Sequence, residues 1–194
     1  MDTITKPGWI EVITGPMFAG KSEELIRRIK RLEYAKKEVL VFRPRIDNRY
    51  SLDEVVSHSN VRRKSVIIDK ASDILPLLRK DIYAVVIDEV QFLDFAIVRL
   101  CEKLANQGLR VIVAGLDSDF RGEPFAITAE LLARAEYITK LTAICVCCGS
   151  PATKTQRIVN NQPAHYGDPI VVVGASETYE PRCRHCHQVL GKDD

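Results

Sequence analysis

Gly15-Pro16-Met17-Phe18-Ala19-Gly20-Lys21-Ser22 fits the pattern G-x-x-x-x-G-K-[ST], and its flanks decide what the pattern means. Ahead of it, Trp9-Ile10-Glu11-Val12-Ile13-Thr14 is short, apolar and β-branched, the composition of a buried strand. Behind it, over residues 22–37, Leu25, Ile26, Ile29 and Leu32 recur at helical spacing between charges. Strand, glycine loop and helix in that order make a phosphate site. The loop's N–H groups and the positive end of the helix face an anion together. Lys21 adds a point charge near the β- and γ-phosphates, and Ser22 offers a hydroxyl to Mg²⁺.

Outward from this loop the chain alternates strands and helices. Val39-Leu40-Val41-Phe42 reads as a second strand stopped by Arg43-Pro44, and Val66-Ile67-Ile68 as a third, followed by a helix over 71–79. Ala84-Val85-Val86-Ile87 is continuously apolar, as a central parallel strand covered on both faces must be. A helix is expected over 95–106, ending at Gly108, then a strand over 110–115, a helix over 131–136 and a last strand over 137–141. The expected fold class is α/β: a P-loop, RecA-like parallel sheet flanked by helices, binding ligands at the carboxyl ends of its strands. Residues 47–64 show no periodicity and read as a long surface loop, either functional or a tolerated insertion. Past residue 143 the composition turns to Cys, His, Pro and Gly. There, residues 154–159 and 170–173 are expected to pair as a ribbon around a turn at 160–163. The expected organisation is a nucleotide-binding domain over 1–143 and a small zinc-binding β domain with a lasso loop over 144–194.

Composition narrows the function classes. A chain of 194 residues with 46% hydrophobic and 28% charged residues can bury a core without disulfides. Its net charge of +2 gives no pull toward nucleic acid or an anionic membrane. Residues 1–8 carry no apolar signal core and no run approaches a membrane span, so a soluble, cytoplasmic protein is expected. Six cysteines in such a compartment are unsuited to disulfides, and five of them crowd the last quarter.

Two further loops leave buried strands. Asp88-Glu89 follows Val85-Val86-Ile87; Asp88 suits the Mg²⁺ of a bound nucleotide, and Glu89 is free to take a proton from a nucleophile. Gln91 and Phe92 follow into the same cleft. The stretch Leu116-Asp117-Ser118-Asp119-Phe120-Arg121-Gly122-Glu123-Pro124-Phe125 places two aromatics in a polar loop, suited either to stacking on a nucleobase or to anchoring the loop on the core. Cys145-x-x-Cys148 and Cys183-x-x-Cys186 can close a tetrahedral thiolate shell around a structural Zn²⁺. Cys147, His185 and His187 remain as spare donors, so the fourth ligand stays open. The segment 165–179 between the pairs becomes a tethered flap whose backbone groups can close over a ligand.

These motifs together (the phosphate loop, IDNRY, IDEVQF, LDSDFRGEPF, the CxxCG knuckle and VVVGASETYEPRCRHC) resemble the thymidine kinases of the cytosolic, human-type class over nearly the whole chain. The resemblance implies transfer of a phosphoryl group from ATP to the 5′-hydroxyl of thymidine. It implies Glu89 as catalytic base and an ATP site made of Gly15, Pro16, Met17, Phe18, Ala19, Gly20, Lys21 and Ser22, with Asp88 and Gln91 beside it. Met17, Phe92, Leu116, Phe120 and Phe125 match the thymine pocket; Thr155, Ile170, Val171, Val172, Val173, Gly174 and Tyr179 match the lasso; Asp47 and Arg49 match a pair near the sugar or phosphates. Cys145, Cys148, Cys183 and Cys186 match the zinc ligands of bacterial members, and the chain's end soon after the second knuckle implies such a member. A homotetramer and feedback inhibition by thymidine triphosphate are also implied, with no nucleic acid or membrane partner. The rival reading from the same residues is a RecA-like ATPase that binds nucleic acid through a zinc ribbon. The near-neutral charge and the lack of a basic stripe argue against it.

Overall fold

Runs such as Ala84-Val85-Val86-Ile87 need apolar cover on both faces, and the sheet gives it. A computed structural model describes residues 8–45, 54–56, 62–170 and 177–192. The strands begin with β1 (Trp9–Thr14), β2 (Glu38–Pro44), β3 (Glu54–Val56) and β4 (Arg62–Lys64). They continue with β5 (Val66–Ile68), β6 (Ile82–Ile87), β7 (Arg110–Gly115) and β8 (Tyr137–Lys140). Six of them form one sheet in the order β5-β2-β6-β7-β1-β8, and every pairing in it is parallel. The helices are α1 (Lys21–Tyr34), α2 (Ala96–Asn106) and α3 (Ala126–Arg134).

Alternation along the strands sorts the core into two layers. Ile10, Val12, Phe42, Val85, Ile87, Val111 and Val113 face α2, α3 and a short 3-10 turn over Ala71–Leu77. Ile13, Val41, Ala84, Val86, Ile112 and Ala114 face the apolar stripe of α1, Leu25, Ile26, Ile29 and Leu32. Each of those four helix side chains contributes about 2 kcal/mol of burial, which holds α1 and the loop before it against the sheet.

Several elements differ from expectation for local reasons. α1 stops at Tyr34, because Lys36 takes a left-handed φ of 54° to turn the chain into β2. β2 runs through Arg43 and Pro44, whose partners are Ile67 and Ile68 of the edge strand β5. Residues 71–77 form a 3-10 helix because Pro76 supplies no N–H, and carboxylates hold its start instead. Asp73 accepts the N–H groups of Asp69 and Lys70, and Asp94 accepts that of Ala71. α3 lies earlier than expected, and Ala135 is already extended to feed β8. Within the stretch expected as a plain loop, β3 and β4 pair antiparallel.

The C-terminal part holds two small sheets. β9 (Ala143–Ile144) pairs with β10 (Pro151–Ala152), while β11 (Lys154–Val159) lies between β12 (Gln162–Pro163) and β13 (Glu177–Arg182). The two-residue turn Asn160-Asn161 has φ of 49° and 62°, the left-handed pair that a tight hairpin demands and asparagine tolerates. Of the ribbon expected between 154–159 and 170–173, all but Ile170 of the second strand lies outside the described residues. All six residues of β11 pair with 177–182, a strand that the sequence reading did not include. Among the described residues no helix is long and apolar enough to cross a membrane.

A buried carboxylate ties this sheet to α1. Glu11, 5% exposed on the α1 side of β1, accepts hydrogen bonds from Trp9 Nε1 (2.6 Å), Arg110 Nε (2.5 Å) and Arg28 NH1 (2.5 Å). Arg28 also reaches Glu24 (2.8 Å) and Thr139 (2.7 Å), so the cluster ties α1, β1, β7 and β8 together. Burial pushes the Glu11 carboxyl up. The hydrogen bonds and charges of Arg110, Trp9 and Arg28 outweigh it and hold the pKa below its ordinary 4.5. Glu24 is lowered to about 2, chiefly by its hydrogen bond from Arg27, against burial and with help from Arg28. Carboxylates lowered on folding add stability above their unfolded pKa and lose it as pH falls through the folded one. The cluster's contribution should therefore be complete at neutral pH and fade from about pH 4.5 downward. Glu11→Ala strands two arginines, and urea unfolding at pH 7 should show a loss of about 3 kcal/mol. An unchanged midpoint would refute the cluster's importance.

Candidate active site

The loop after β1 is built by glycine geometry. Gly15 has φ 144°, and a Cβ there would meet the Leu141 carbonyl oxygen at 2.4 Å, so the loop needs glycine to pass this close to the end of β8. Gly20 caps α1 in a left-handed conformation (φ 82°) with no side-chain cap, which leaves the helix N–H groups facing the loop. Phe18 also takes positive φ, 66°, at a cost of about 1–2 kcal/mol for a side chain with a Cβ. Lys21 is buried and folds back over the loop, donating to the carbonyls of Gly15 (3.1 Å) and Pro16 (2.8 Å). Its charge therefore stands over the backbone concavity and not out in solvent.

The acidic pair leaves β6 at the same edge. Asp88 is 7% exposed; its N–H bonds to Phe42 O (2.9 Å) and its Oδ1 accepts the Glu89 N–H (3.0 Å). Glu89 is left-handed (φ 49°, ψ 42°), a sharp turn that swings its side chain away from the strand line. Gln91, buried, holds it there: Nε2 donates to Glu89 Oε2 at 2.6 Å while Oε1 accepts the Leu116 N–H at 3.2 Å. Gly115 is the room this needs, since a Cβ there would lie 2.5 Å from Gln91 Oε1. Gln91 thus links the loops after β6 and β7.

The loop after β7 is folded around one carboxylate. Asp119, 6% exposed, accepts the N–H groups of Arg121 (2.9 Å) and Glu123 (3.0 Å) and the Arg121 guanidinium (3.1 Å). Its two aromatics have different surroundings. Phe125 meets Phe92 edge-on, with centroids 6.1 Å apart, whereas Phe120 is 4% exposed beneath the guanidinium groups of Arg157 (5.1 Å) and Arg121 (5.6 Å). Arg157 NH1 donates to the Pro169 carbonyl at 2.5 Å, just before Ile170. Buried Thr155 accepts the Met17 N–H at 3.0 Å, so β11 touches the phosphate loop directly.

Beyond the loop tip lies the cysteine cluster. The sulfurs of Cys145, Cys148, Cys183 and Cys186 all lie within 4.8 Å of one another, with Cys148 and Cys183 at 3.6 Å. Tetrahedral Zn–S bonds of about 2.3 Å imply sulfurs about 3.8 Å apart, so the donor set fits Zn²⁺. Burial pushes the Cys145 thiol up, but N–H groups of Cys183, Cys147 and Cys148 bring it down to about 6, while the neighbouring sulfurs push Cys186 up. Four thiols in contact share protons that a metal would displace. His187 is committed elsewhere: Nε2 faces the Phe120 carbonyl at 2.8 Å, and burial, assisted by Lys154 and Lys192, lowers its pKa against the pull of the Phe120 and Thr155 carbonyls. The spare donors His185 and Cys147 also stand outside the four-sulfur group. Ala19, at the tip of the phosphate loop, packs on this cluster.

A family model described as thymidine kinase matches residues 8–187. The chain belongs to the thymidine kinase family. Its activity is the phosphorylation of thymidine, and the family implies ATP as the other substrate. In this kinase the loops after β1, β6 and β7 bring the expected residues to one edge of the sheet: Gly15 to Ser22, Asp88, Glu89, Gln91, Phe92, Leu116, Phe120 and Phe125. Thr155 reaches that edge through Met17, and Ile170, 43% exposed, follows the Arg157 anchor. Tyr179 lies opposite Arg157 on β13. Asp47, Arg49, Val171, Val172, Val173 and Gly174 lie outside the described residues. Sequence reading missed the buried charges Arg157, in a stretch read only as a ribbon strand, and Asp119, in one read as a polar loop, and the linking role of Gln91. Only the phosphate loop and the cysteine spacing signal themselves by pattern.

The cluster sets a thiol count. Cys101 is fully buried and pushed up to about 12 by burial, and Cys147 is exposed outside the four-sulfur group. A thiol reagent on native, metal-loaded kinase should find one fast thiol, and a chelator should release about one zinc per chain with four further thiols. Five fast thiols before chelation would refute the metal site.

Proposed function

We propose that the kinase transfers the γ-phosphoryl group of ATP to the 5′-hydroxyl of thymidine, giving thymidine monophosphate and ADP. The observation that carries this reading is that Glu89 and the phosphate loop follow parallel strands, β6 and β1, at the same edge of one sheet. Glu89 is held by Gln91 on one side, and the small sheet is bonded to the loop by Thr155 on the other. The N–H groups at Phe18 to Lys21 and the Lys21 ammonium hold the β- and γ-phosphates. Ser22 and Asp88 offer hard oxygen donors that fit Mg²⁺, which when bound supplies charge neutralisation for the phosphates. Glu89 takes the proton from the 5′-oxygen as that oxygen bonds to phosphorus and the bond to the β-phosphate bridging oxygen breaks, releasing ADP.

Thymine occupies the space among Met17, Phe92, Leu116, Phe120 and Phe125 in this reading. The lasso, from Thr155 and Ile170 through Val171, Val172, Val173 and Gly174 to Tyr179, closes over it and excludes water. Asp47 and Arg49 act on the sugar or phosphates. Zinc on Cys145, Cys148, Cys183 and Cys186 would tie the lasso's two ends together, with residues 144–194 acting as a domain distinct from 1–143. The family resemblance adds a homotetramer inhibited by thymidine triphosphate and a cytoplasmic location.

Two measurements test the reading. ATP consumption should rise with thymidine in a panel of nucleosides; stimulation by single-stranded DNA and not by thymidine would favour the nucleic-acid-dependent ATPase instead. Glu89→Gln should keep ATP affinity and lower kcat by roughly 10²–10⁴. Wild-type turnover in that variant would remove Glu89 as base.

A further inference from the structure

The segment after the second cysteine pair does more than end the small domain. Residues 187–192 lie back over the loop that carries Phe120, and their side chains meet its carbonyls. His187 Nε2 donates to Phe120 O at 2.8 Å, and Lys192 Nζ donates to Arg121 O at 2.8 Å and to Glu123 Oε1 at 3.0 Å. The acceptor at His187 is a carbonyl, so the proton is on Nε2.

The segment is itself fastened to the small sheet. The buried Gln156 amide exchanges two hydrogen bonds with the Gln188 backbone, both 2.8 Å. Leu190 bonds to Ala164 (3.0 Å) and to Tyr166 (2.7 Å). The His187 N–H bonds to Cys183 O at 3.1 Å, which places the imidazole at the exit of the cysteine cluster. Phe120 is thereby gripped twice: its ring lies under Arg157, and its carbonyl is held by His187.

We propose that His187 is a positioning residue for the nucleoside. It fixes the Phe120 loop against β11, so that the shape of the base pocket follows from how the chain leaves the cysteine cluster. This rests on the assignment of Phe120 to the thymine pocket. His187 is not a metal ligand in this account, and the covalent step Cys186–His187 is the route by which metal occupancy reaches the base. Loss of metal should therefore weaken thymidine more than ATP.

The test uses the full-length, metal-loaded kinase. His187→Ala should raise the thymidine KM, and the thymidine Kd measured by calorimetry, about three- to tenfold, the loss expected for one hydrogen bond. Metal content, kcat at saturating thymidine and the KM for ATP should stay within about twofold, the pattern of lost uniform binding. His187→Gln, whose amide can donate to the same carbonyl, should recover most of the affinity. Lys192→Met, on a side chain 40% exposed, should give a smaller rise without threatening the fold. Three results overturn the proposal: an unchanged thymidine Kd in both His187→Ala and Lys192→Met, no rescue by His187→Gln, or loss of metal in His187→Ala. Failure of the underlying assignment would look different, because Phe120→Ala would then leave thymidine affinity unchanged.

Discussion

Everything that faces the substrates depends on one constraint: parallel strands must all release the chain at the same edge of the sheet. Strands β6, β7 and β1 lie side by side, and each is followed by a loop that cannot be buried without orphaning its backbone groups. Chemistry collects there because the polar backbone has to be exposed there. The phosphate loop, the acidic pair and the Phe120 loop are three neighbouring solutions to one packing problem. They hold position because the layers beneath them, α1 on one face and α2 and α3 on the other, leave the strands no freedom to shift.

The second half of the site comes from a part of the chain with little core of its own. Among the described residues its buried apolar cluster is Ala143, Cys145, Ala152 and Cys183, too small to stabilise a fold without a metal or a larger neighbour. Contacts to the larger body supply the rest: Thr155 with Met17, Ala19 with the cysteine cluster, and Lys192 and His187 with the Phe120 loop. The same contacts that stabilise the small sheet bring it over the phosphate loop, so stability and site assembly share one set of interactions.

Most of the large body was legible in the sequence because its signals are strong and local. Continuous apolar strands, a helix with a clean apolar stripe and a glycine loop between them leave few alternatives. Element ends were less legible: Lys36 and Pro76 act through backbone conformation, which periodicity does not report. One pairing of the small sheet was missed for a related reason. Glu177-Thr178-Tyr179-Glu180-Pro181-Arg182 carries charges and a proline and does not look like a strand, yet it pairs along the whole of β11, just ahead of the second cysteine pair. Within the site, residues whose chemistry is general were read at once. Gln91, Asp119, Arg157 and His187 were not read for what they do, because each acts by holding another group, and the group held is distant in sequence or fixed only by the fold.

The central claim is that thymidine and the triphosphate meet in a site made jointly by the sheet edge and the small C-terminal sheet. Hydrogen–deuterium exchange tests it most directly, with thymidine and a non-hydrolysable ATP analogue added separately and together. The analogue alone should protect residues 16–22. Both ligands together should also protect 116–125 and 154–159. Protection confined to the phosphate loop whatever the ligands would contradict it.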